Sequence, residues 1–139
     1  MSEEPTATRE MMTHEVMPRL EWEQVVVDCA DPQRLGRWWA EALGWVVVDD
    51  GEEFEIRPSP DRLPGLLFAR VPEPKTVKDR LHLDFRPIDQ EEEVARLLAL
   101  GATRADVGQD SPSWVVLRDP EGNEFCVLAA HHPSGPAAP

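Results

Sequence analysis

The stretch from Lys78 to Phe85, KDRLHLDF, carries the residues of this chain that are best placed to do chemistry. Arg80, His82 and Asp84 alternate with apolar residues beginning at Leu81, which is the period-2 pattern of a strand with one polar and one buried face. On such a strand the Asp84 carboxylate could orient the His82 imidazole as a general base, and Arg80 could stabilise a developing oxyanion. A satisfied ladder of polar side chains is the alternative that the same pattern allows.

An earlier strand also presents a polar face. The residues from Trp22 to Asp28 are rich in valine, and Trp22, Gln24, Val26 and Asp28 fall on one face of the predicted strand. Gln24 and Asp28 therefore point the same way, beside an indole ring that could line a pocket or fill a core.

Each of these strands leads into a helix with clear boundary signals. Asp31-Pro32 predicts a helix start, with an N-cap carboxylate before proline, and Gly44 predicts its end. Asp89 begins a second helix, whose first turn is acidic and which ends at Gly101. The helical spacing of apolar residues between these limits predicts one buried stripe on each helix.

The two halves of the chain repeat one design. Gln24 lies seven positions before the first helix cap, and His82 lies seven before the second. Three strands are predicted after each helix, over Trp45 to Asp49, Glu53 to Arg57, Gly65 to Val71, Ala102 to Ala105, Ser113 to Arg118 and Asn123 to Leu128. The pattern is βαβββ twice, and neither copy alone can bury both its sheet face and its helix.

The chain divides accordingly. We predict a single domain over residues 19–130, made of module 1 (19–73) and module 2 (78–130). Residues 1–18 form a flexible leader and residues 131–139 a disordered tail, because both stretches lack sustained hydrophobic periodicity.

The composition narrows the classes of partner and compartment. Lys and Arg number 14 against 27 Asp and Glu, and the formal charge of −13 argues against nucleic acid, whose binding draws on basic patches. The acidity would help to attract a cationic ligand, although solubility is the simpler explanation. No apolar run approaches the roughly 20 residues that span a bilayer, and no secretory signal opens the chain, so we expect a cytoplasmic protein with no membrane partner. Cys29 and Cys126 are too few for a disulfide framework.

Three segments resemble the vicinal oxygen chelate superfamily, which includes glyoxalase I, bleomycin-resistance proteins and extradiol dioxygenases. They are EQVVVDCADPQRLGRWWAEALGW, its echo LHLDFRPIDQEEEVARLLALGA, and the closing LRDPEGNEFCVL, and they are most similar to small bacterial glyoxalase-like proteins. The resemblance implies an α+β fold in which two βαβββ modules form a cupped mixed sheet, a small-molecule ligand in the cup, and a homodimer.

The resemblance also implies positions for a divalent metal, one from the first and one from the last strand of each module. In this sequence they are Gln24, Ala69, His82 and Cys126. Gln24 and His82 suit the pattern, whereas Ala69 and Cys126 stand where carboxylate ligands are typical. Without those carboxylates a hard divalent ion would be poorly neutralised, so we expect no cofactor.

A softer metal site is the alternative. Gln24, His82 and Cys126 could hold a divalent ion such as Zn, Ni, Fe or Mn, since imidazole and thiolate suit several of these ions. Asp28 or Asp84 could complete the ligand set.

The sequence therefore predicts a glyoxalase-like protein that binds a small organic ligand in the cup between its modules, with no assigned reaction. One alternative is a metal-dependent lyase, isomerase or dioxygenase, and another is a non-catalytic binding protein similar to bleomycin-resistance proteins. The candidate catalytic residues are His82 and Asp84. The candidate ligand-binding residues are Trp22, Gln24, Asp28, Phe54, Arg80, Trp114 and Cys126.

Overall fold

The computed structural model of the protein describes residues 19–105 and 113–130, so the predicted leader and tail lie outside the described residues. One sheet contains β1 (Gln24–Cys29), β2 (Val46–Asp50), β3 (Phe54–Arg57) and β4 (Gly65–Arg70). The other contains β5 (Leu83–Phe85), β6 (Thr103–Arg104), β7 (Trp114–Arg118) and β8 (Glu124–Leu128). Helix α1 (Pro32–Leu43) follows β1, and helix α2 (Gln90–Leu100) follows β5. The predicted α+β class with two βαβββ modules is confirmed.

The two sheets have the same topology. Their strand orders are β1-β4-β3-β2 and β5-β8-β7-β6, so each module places its first strand at a sheet edge beside its last strand. The edge pairs are parallel in both sheets, because a helix crossover separates the first strand from the rest, and the remaining pairs are antiparallel.

Both helices begin at the residues that the sequence predicts. The Asp31 side chain accepts a hydrogen bond from the backbone N–H of Arg34 at 3.1 Å, and Asp89 accepts one from Glu92 at 3.0 Å. Each satisfies one backbone donor that the helix itself leaves without a partner. Gly44 ends α1 at φ 70°, in the left-handed region that favours glycine.

One hydrophobic core joins the modules. Trp39 on α1 lies at its centre, with its ring centroid 5.6 Å from that of Phe85 and 4.8 Å from that of Phe125. Trp38 donates its indole N–H to the Leu100 carbonyl at the end of α2, at 3.0 Å. The helix-side faces of both sheets therefore pack into a shared core.

The opposite face of each sheet, which we call the outer face, turns away from this core. Because strand residues alternate, the packing of Val25 and Val27 into the core places Gln24, Val26 and Asp28 on the outer face of the first sheet. On the second sheet, Cys126 lies on the outer face, where it packs in a small separate cluster with Ala105, Val116 and Leu128.

The strand predicted from Lys78 to Phe85 is wrong in length, because only Leu83–Phe85 is β-structure. The Asp79 backbone N–H donates to the Glu124 carboxylate at 2.9 Å instead of pairing along the sheet. Leu81, predicted on the buried face, is 91% exposed. In the part of the chain that the structure describes, no helix combines the length and apolar character needed to cross a membrane.

Candidate functional site

A cavity of about 670 Å³ lies between the modules. It runs along the edge strand β1 and is closed by the linker after β4, the start of β5 and the turn before β8. The buried residues Trp39 and Leu66 form its inner wall, whereas Trp22, Val26 and Leu81 lie at its mouth and are 65%, 50% and 91% exposed. The volume falls within the range of about 300–1,000 Å³ that is typical of small-molecule pockets.

Asp119 builds one wall of this cavity. Its carboxylate is 3% exposed and accepts hydrogen bonds from the Trp39 indole at 2.9 Å and from the backbone N–H groups of Glu121 at 2.9 Å and Asn123 at 3.0 Å. The bond to Trp39 ties the turn of module 2 to the helix of module 1.

Glu121 makes a second connection between the modules. Its carboxylate accepts from the backbone N–H groups of Ala30 at 2.7 Å and Asp31 at 2.9 Å, directly before α1. A negative charge at this position is also favourable because the N-terminus of a helix is the positive end of its dipole. The two contacts together fix the cavity wall against β1.

A charged network closes the linker side of the cavity. Glu124 is 6% exposed, and its carboxylate forms an ion pair with Lys75 at 3.2 Å and accepts the Asp79 backbone N–H at 2.9 Å. Burial alone would raise the pKa of Glu124, but these hydrogen bonds outweigh it and the pKa is lowered. The pKa of the Asp79 carboxyl is raised, first by burial and then by the negative charge of Glu124.

His82, Asp84 and Cys126 come together beside the cavity, and of these three only His82 lines it. One donor atom from each of the three lies within 4.8 Å of the others. Asp84 and Cys126 are register partners on the parallel strands β5 and β8, so their side chains share the outer face. The His82 Nδ1 atom lies 3.7 Å from Asp84 Oδ1, which is longer than a direct hydrogen bond.

The other predicted ligand-binding residues divide into two groups. Trp22, Asp28 and His82 line the cavity. Gln24 lies on the same outer face of β1 as Asp28 but not in the cavity lining. Ala69 is the register partner of Asp28 and contributes a methyl group where the resemblance implies a metal ligand.

The remaining predicted residues lie elsewhere. Phe54 is 0% exposed and packs beneath Gly36 of α1, so the structure places it in the core and not in the predicted pocket. Its strand alternation turns it to the helix side of the sheet. Trp114 lies on the outer face of β7, beside Leu128 and 36% exposed, and Arg80 is exposed; neither lines the cavity.

Several cavity residues were missed by the sequence reasoning. Trp39, Asp119 and Glu121 line the cavity but are not among the candidate residues that the sequence predicts. Their partners lie 80 to 91 positions away in the chain, and no local pattern indicates such contacts. The acidic DPEG turn itself, directly before the closing strand, was the available signal.

Comparison with solved structures places this fold among known proteins. The chain is similar to a glyoxalase/bleomycin resistance protein/dioxygenase family enzyme from Burkholderia phytofirmans PsJN, with 17% identity, a TM-score of 0.60, and coverage of 80% of this chain and 99% of that one. For the fosfomycin resistance protein FosX from Mesorhizobium loti the values are 12%, 0.61, 85% and 98%. For TnmS3, an antibiotic binding protein from Streptomyces sp. CB03234, they are 18%, 0.59, 83% and 99%. At these identities the likeness shows the fold alone.

The sequence matches a family model, although no individual curated protein matches it. Residues 24–128 match the model of the Glyoxalase-like domain, and this range includes the eight strands and two helices of the described residues. The chain therefore belongs to the Glyoxalase-like domain family, within the vicinal oxygen chelate superfamily that its repeated modules and closing turn resemble.

Proposed function

We propose that this protein binds a small organic cation with an apolar or aromatic body in the cavity between its modules. The observation that carries this proposal is the composition of the cavity wall. Indole and aliphatic side chains line it, and the charged residues facing it are six carboxylates against a single lysine among the described residues. An apolar body could pack on Trp22 and Trp39 while its charge meets a carboxylate.

Three of the six carboxylates, on Asp119, Glu121 and Glu124, already accept hydrogen bonds from protein groups. Among the described residues, the side chains of Asp28 and Glu73 have no hydrogen bond or ion pair, so they remain available to a ligand. The Asp79 carboxyl accepts a hydrogen bond from the backbone of Glu124 and lies near the charge of Lys75.

Asp79 is the most informative carboxylate of the cavity lining, because its ionisation should respond to a bound cation. Its raised pKa shows that burial and the charge of Glu124 disfavour its ionised form. A bound cation would reverse that balance and lower the pKa of Asp79. Binding of a cation should therefore release a proton near the native pKa of this group and should weaken as salt screens the charges.

Binding would not use the superfamily's usual divalent metal. The four implied ligand positions include Ala69, which has no donor atom, and Cys126, which offers a thiol where a carboxylate is typical. A hard ion that requires several oxygen ligands does not fit that set.

The proposal is tested by titrating the protein with ethidium, a cationic aromatic dye, in the presence of EDTA, and following fluorescence anisotropy. Fluorescein, which is aromatic and anionic, is the matched control probe. We expect saturable ethidium binding that weakens with salt and no binding of fluorescein. Equal binding of both dyes, or of neither, would contradict the proposal.

Substitutions in the cavity lining test whether the dye binds there. Asp28→Asn removes one exposed carboxylate and should weaken ethidium binding about threefold, the effect of one exposed charge pair. Trp22→Ala should weaken binding by a larger factor, because it removes an aromatic contact surface. Asp61→Asn, an exposed site outside the cavity lining, is the control and should change nothing.

We also propose that two copies associate through the mouth of this cavity. Trp22, Val26 and Leu81 expose large apolar surfaces there, and the edge strands β1 and β5 carry backbone groups on their open sides. Light scattering after size exclusion should give twice the chain mass of 15.7 kDa. Val26→Lys places a charge in the interface and should shift that mass to the monomer; a monomeric parent protein would refute the association.

A further inference from the structure

We propose that His82, Asp84 and Cys126 form a site for a thiophilic metal ion such as Zn²⁺, built entirely within module 2. This site is distinct from a ligand set shared between the modules. It does not depend on the proposed binding of an organic cation.

The backbone brings the three side chains to one place. Asp84 and Cys126 are opposite each other on adjacent parallel strands, and the neighbouring pair Leu83 and Phe125 points into the core. Asp84 and Cys126 must therefore point to the outer face. His82 precedes Asp84 by two residues and completes a set of three donor atoms within 4.8 Å.

The distances suit shared coordination better than direct hydrogen bonding. A nitrogen and an oxygen on one tetrahedral ion, at bond lengths of about 2.0–2.2 Å, lie roughly 3.3–3.5 Å apart. The separation of His82 Nδ1 from Asp84 Oδ1 is 3.7 Å, so a small side-chain rotation would bring both atoms onto one ion. Their side chains are 35% and 50% exposed and can rotate toward Cys126, which is held in place by its buried position.

The charge and softness of the donors select the ion. A carboxylate and a thiolate together neutralise a divalent cation, and the imidazole is a neutral ligand. Thiolate and imidazole favour Zn²⁺ or copper over Mg²⁺ and Mn²⁺, which prefer oxygen ligands. The donor set therefore differs from the oxygen-rich sets that bind Mg²⁺ or Mn²⁺.

Three protein ligands leave one tetrahedral position for another molecule. His82 also lines the cavity between the modules, so that position can face a ligand bound there. Because all three donors belong to β5, β8 and the residue before β5, the site is complete in a single chain.

The test uses Co²⁺ as a spectroscopic substitute for Zn²⁺ on the full chain, after metal removal with EDTA and exchange into chelator-free buffer. We expect one equivalent to produce thiolate-to-cobalt charge-transfer absorption in the near ultraviolet, and stoichiometric Zn²⁺ to remove it. Histidines outside the described residues, such as His131 and His132, can bind cobalt but cannot produce this thiolate band. Absence of the band would overturn the proposal.

Cysteine variants identify which thiolate produces the charge-transfer band. Cys126→Ala should abolish the band, and Cys29→Ala should keep it, since both residues are buried thiols but only Cys126 belongs to the cluster. Survival of the band in Cys126→Ala, or its loss in Cys29→Ala with native circular dichroism, would overturn the assignment.

Asp84→Asn provides a second test of the metal site if Cys126→Ala fails to fold. Its side chain is half exposed, so the fold should tolerate the change. Loss of this ligand should weaken Zn²⁺ binding at least about tenfold in a chelator competition, since even outer-shell partners of metal ligands contribute that much. Unchanged affinity in Asp84→Asn, or displacement of Co²⁺ by excess Mg²⁺, would contradict the site. Ethidium binding is measured with EDTA present, so either proposal can fail without the other.

Discussion

The sharpest consequence of the structure concerns Asp119, the buried carboxylate between the modules. Among the described residues, every hydrogen bond to this carboxylate comes from a donor group. Oδ2 accepts from the Trp39 indole at 2.9 Å, and Oδ1 accepts from the backbone N–H groups of Glu121 and Asn123. The Asn123 side-chain amide donates to both oxygens, at 3.2 and 3.0 Å. In either orientation of the new amide, Asp119→Asn would therefore place an N–H donor against the Trp39 indole N–H or against the backbone N–H groups of Glu121 and Asn123, which can only donate.

The magnitude follows from that geometry. A hydrogen bond to a charged group contributes about 1.5–3 kcal/mol, and leaving a buried donor without an acceptor costs about 1–3 kcal/mol. Removal of a buried charge offsets part of this cost. We expect Asp119→Asn to lower the free energy of unfolding by about 2–4 kcal/mol, even though the side chain keeps its shape.

Trp39→Phe tests the same contact from its other side. It removes the indole donor but leaves both Asp119 oxygens with partners, so it should lose the hydrogen bond without creating a donor conflict. In the Trp39→Phe background, Asp119→Asn should cost about 1–2 kcal/mol less than it does alone, which is a positive coupling in a double-mutant cycle.

Urea denaturation followed by far-ultraviolet circular dichroism measures all four proteins independently of the tryptophan signal. Asp61→Asn, at an exposed carboxylate, is the matched control and should stay within about 0.5 kcal/mol of the parent. The reasoning is refuted if Asp119→Asn costs less than about 1 kcal/mol, or if the two substitutions are additive.

Three further outcomes follow from single contacts. Gly36→Ala should destabilise by about 1–3 kcal/mol in urea although alanine favours helices, because its Cβ would lie 2.1 Å from the Phe54 ring; a more stable variant would contradict the packing. The pKa of Glu124 is lowered from its ordinary value of 4.5, so its contact with Lys75 stabilises the fold above pH 4.5 and is lost as the pH falls through the native pKa. In unfolding experiments at acid pH, the stability of Glu124→Gln should therefore decrease less with falling pH than that of the parent. Burial, followed by the charge of a nearby glutamate, raises the pKa of Cys29 from 9.0 to about 11, so the melting temperature should fall between these pH values in the parent more than in Cys29→Ala.

The fold was largely predictable because its signals are local. The N-cap residues Asp31 and Asp89 and the terminal glycines Gly44 and Gly101 lie at the observed helix ends. Strand alternation also placed the polar and apolar faces of β1 correctly. Such signals depend on backbone donors and acceptors within a few residues, and these are visible in sequence.

The site was predictable only in part, because its contacts are long-range. Alternation placed His82 and Asp84 together, and the family resemblance implied that Cys126 lies near His82. The strand predicted before Leu83 failed because the side chain of Glu124, 45 positions away, takes the Asp79 N–H that the alternation assigned to a sheet. A local pattern has no information about such a competitor.

The carboxylates chosen for the binding tests lie outside the hydrophobic core, and this makes those tests interpretable. Stability comes chiefly from the helix-side faces, where residues such as Phe125 and Trp39 are 2% and 4% exposed. Asp28 and Asp84 lie on the outer faces and are exposed, so their replacement uncovers no core and should change stability by less than about 0.5 kcal/mol. Lost binding in those variants would then report on the site itself. Cys126 is the exception because it is 6% exposed and packed with Val116, and for that reason the exposed Asp84 provides the decisive test of the metal site.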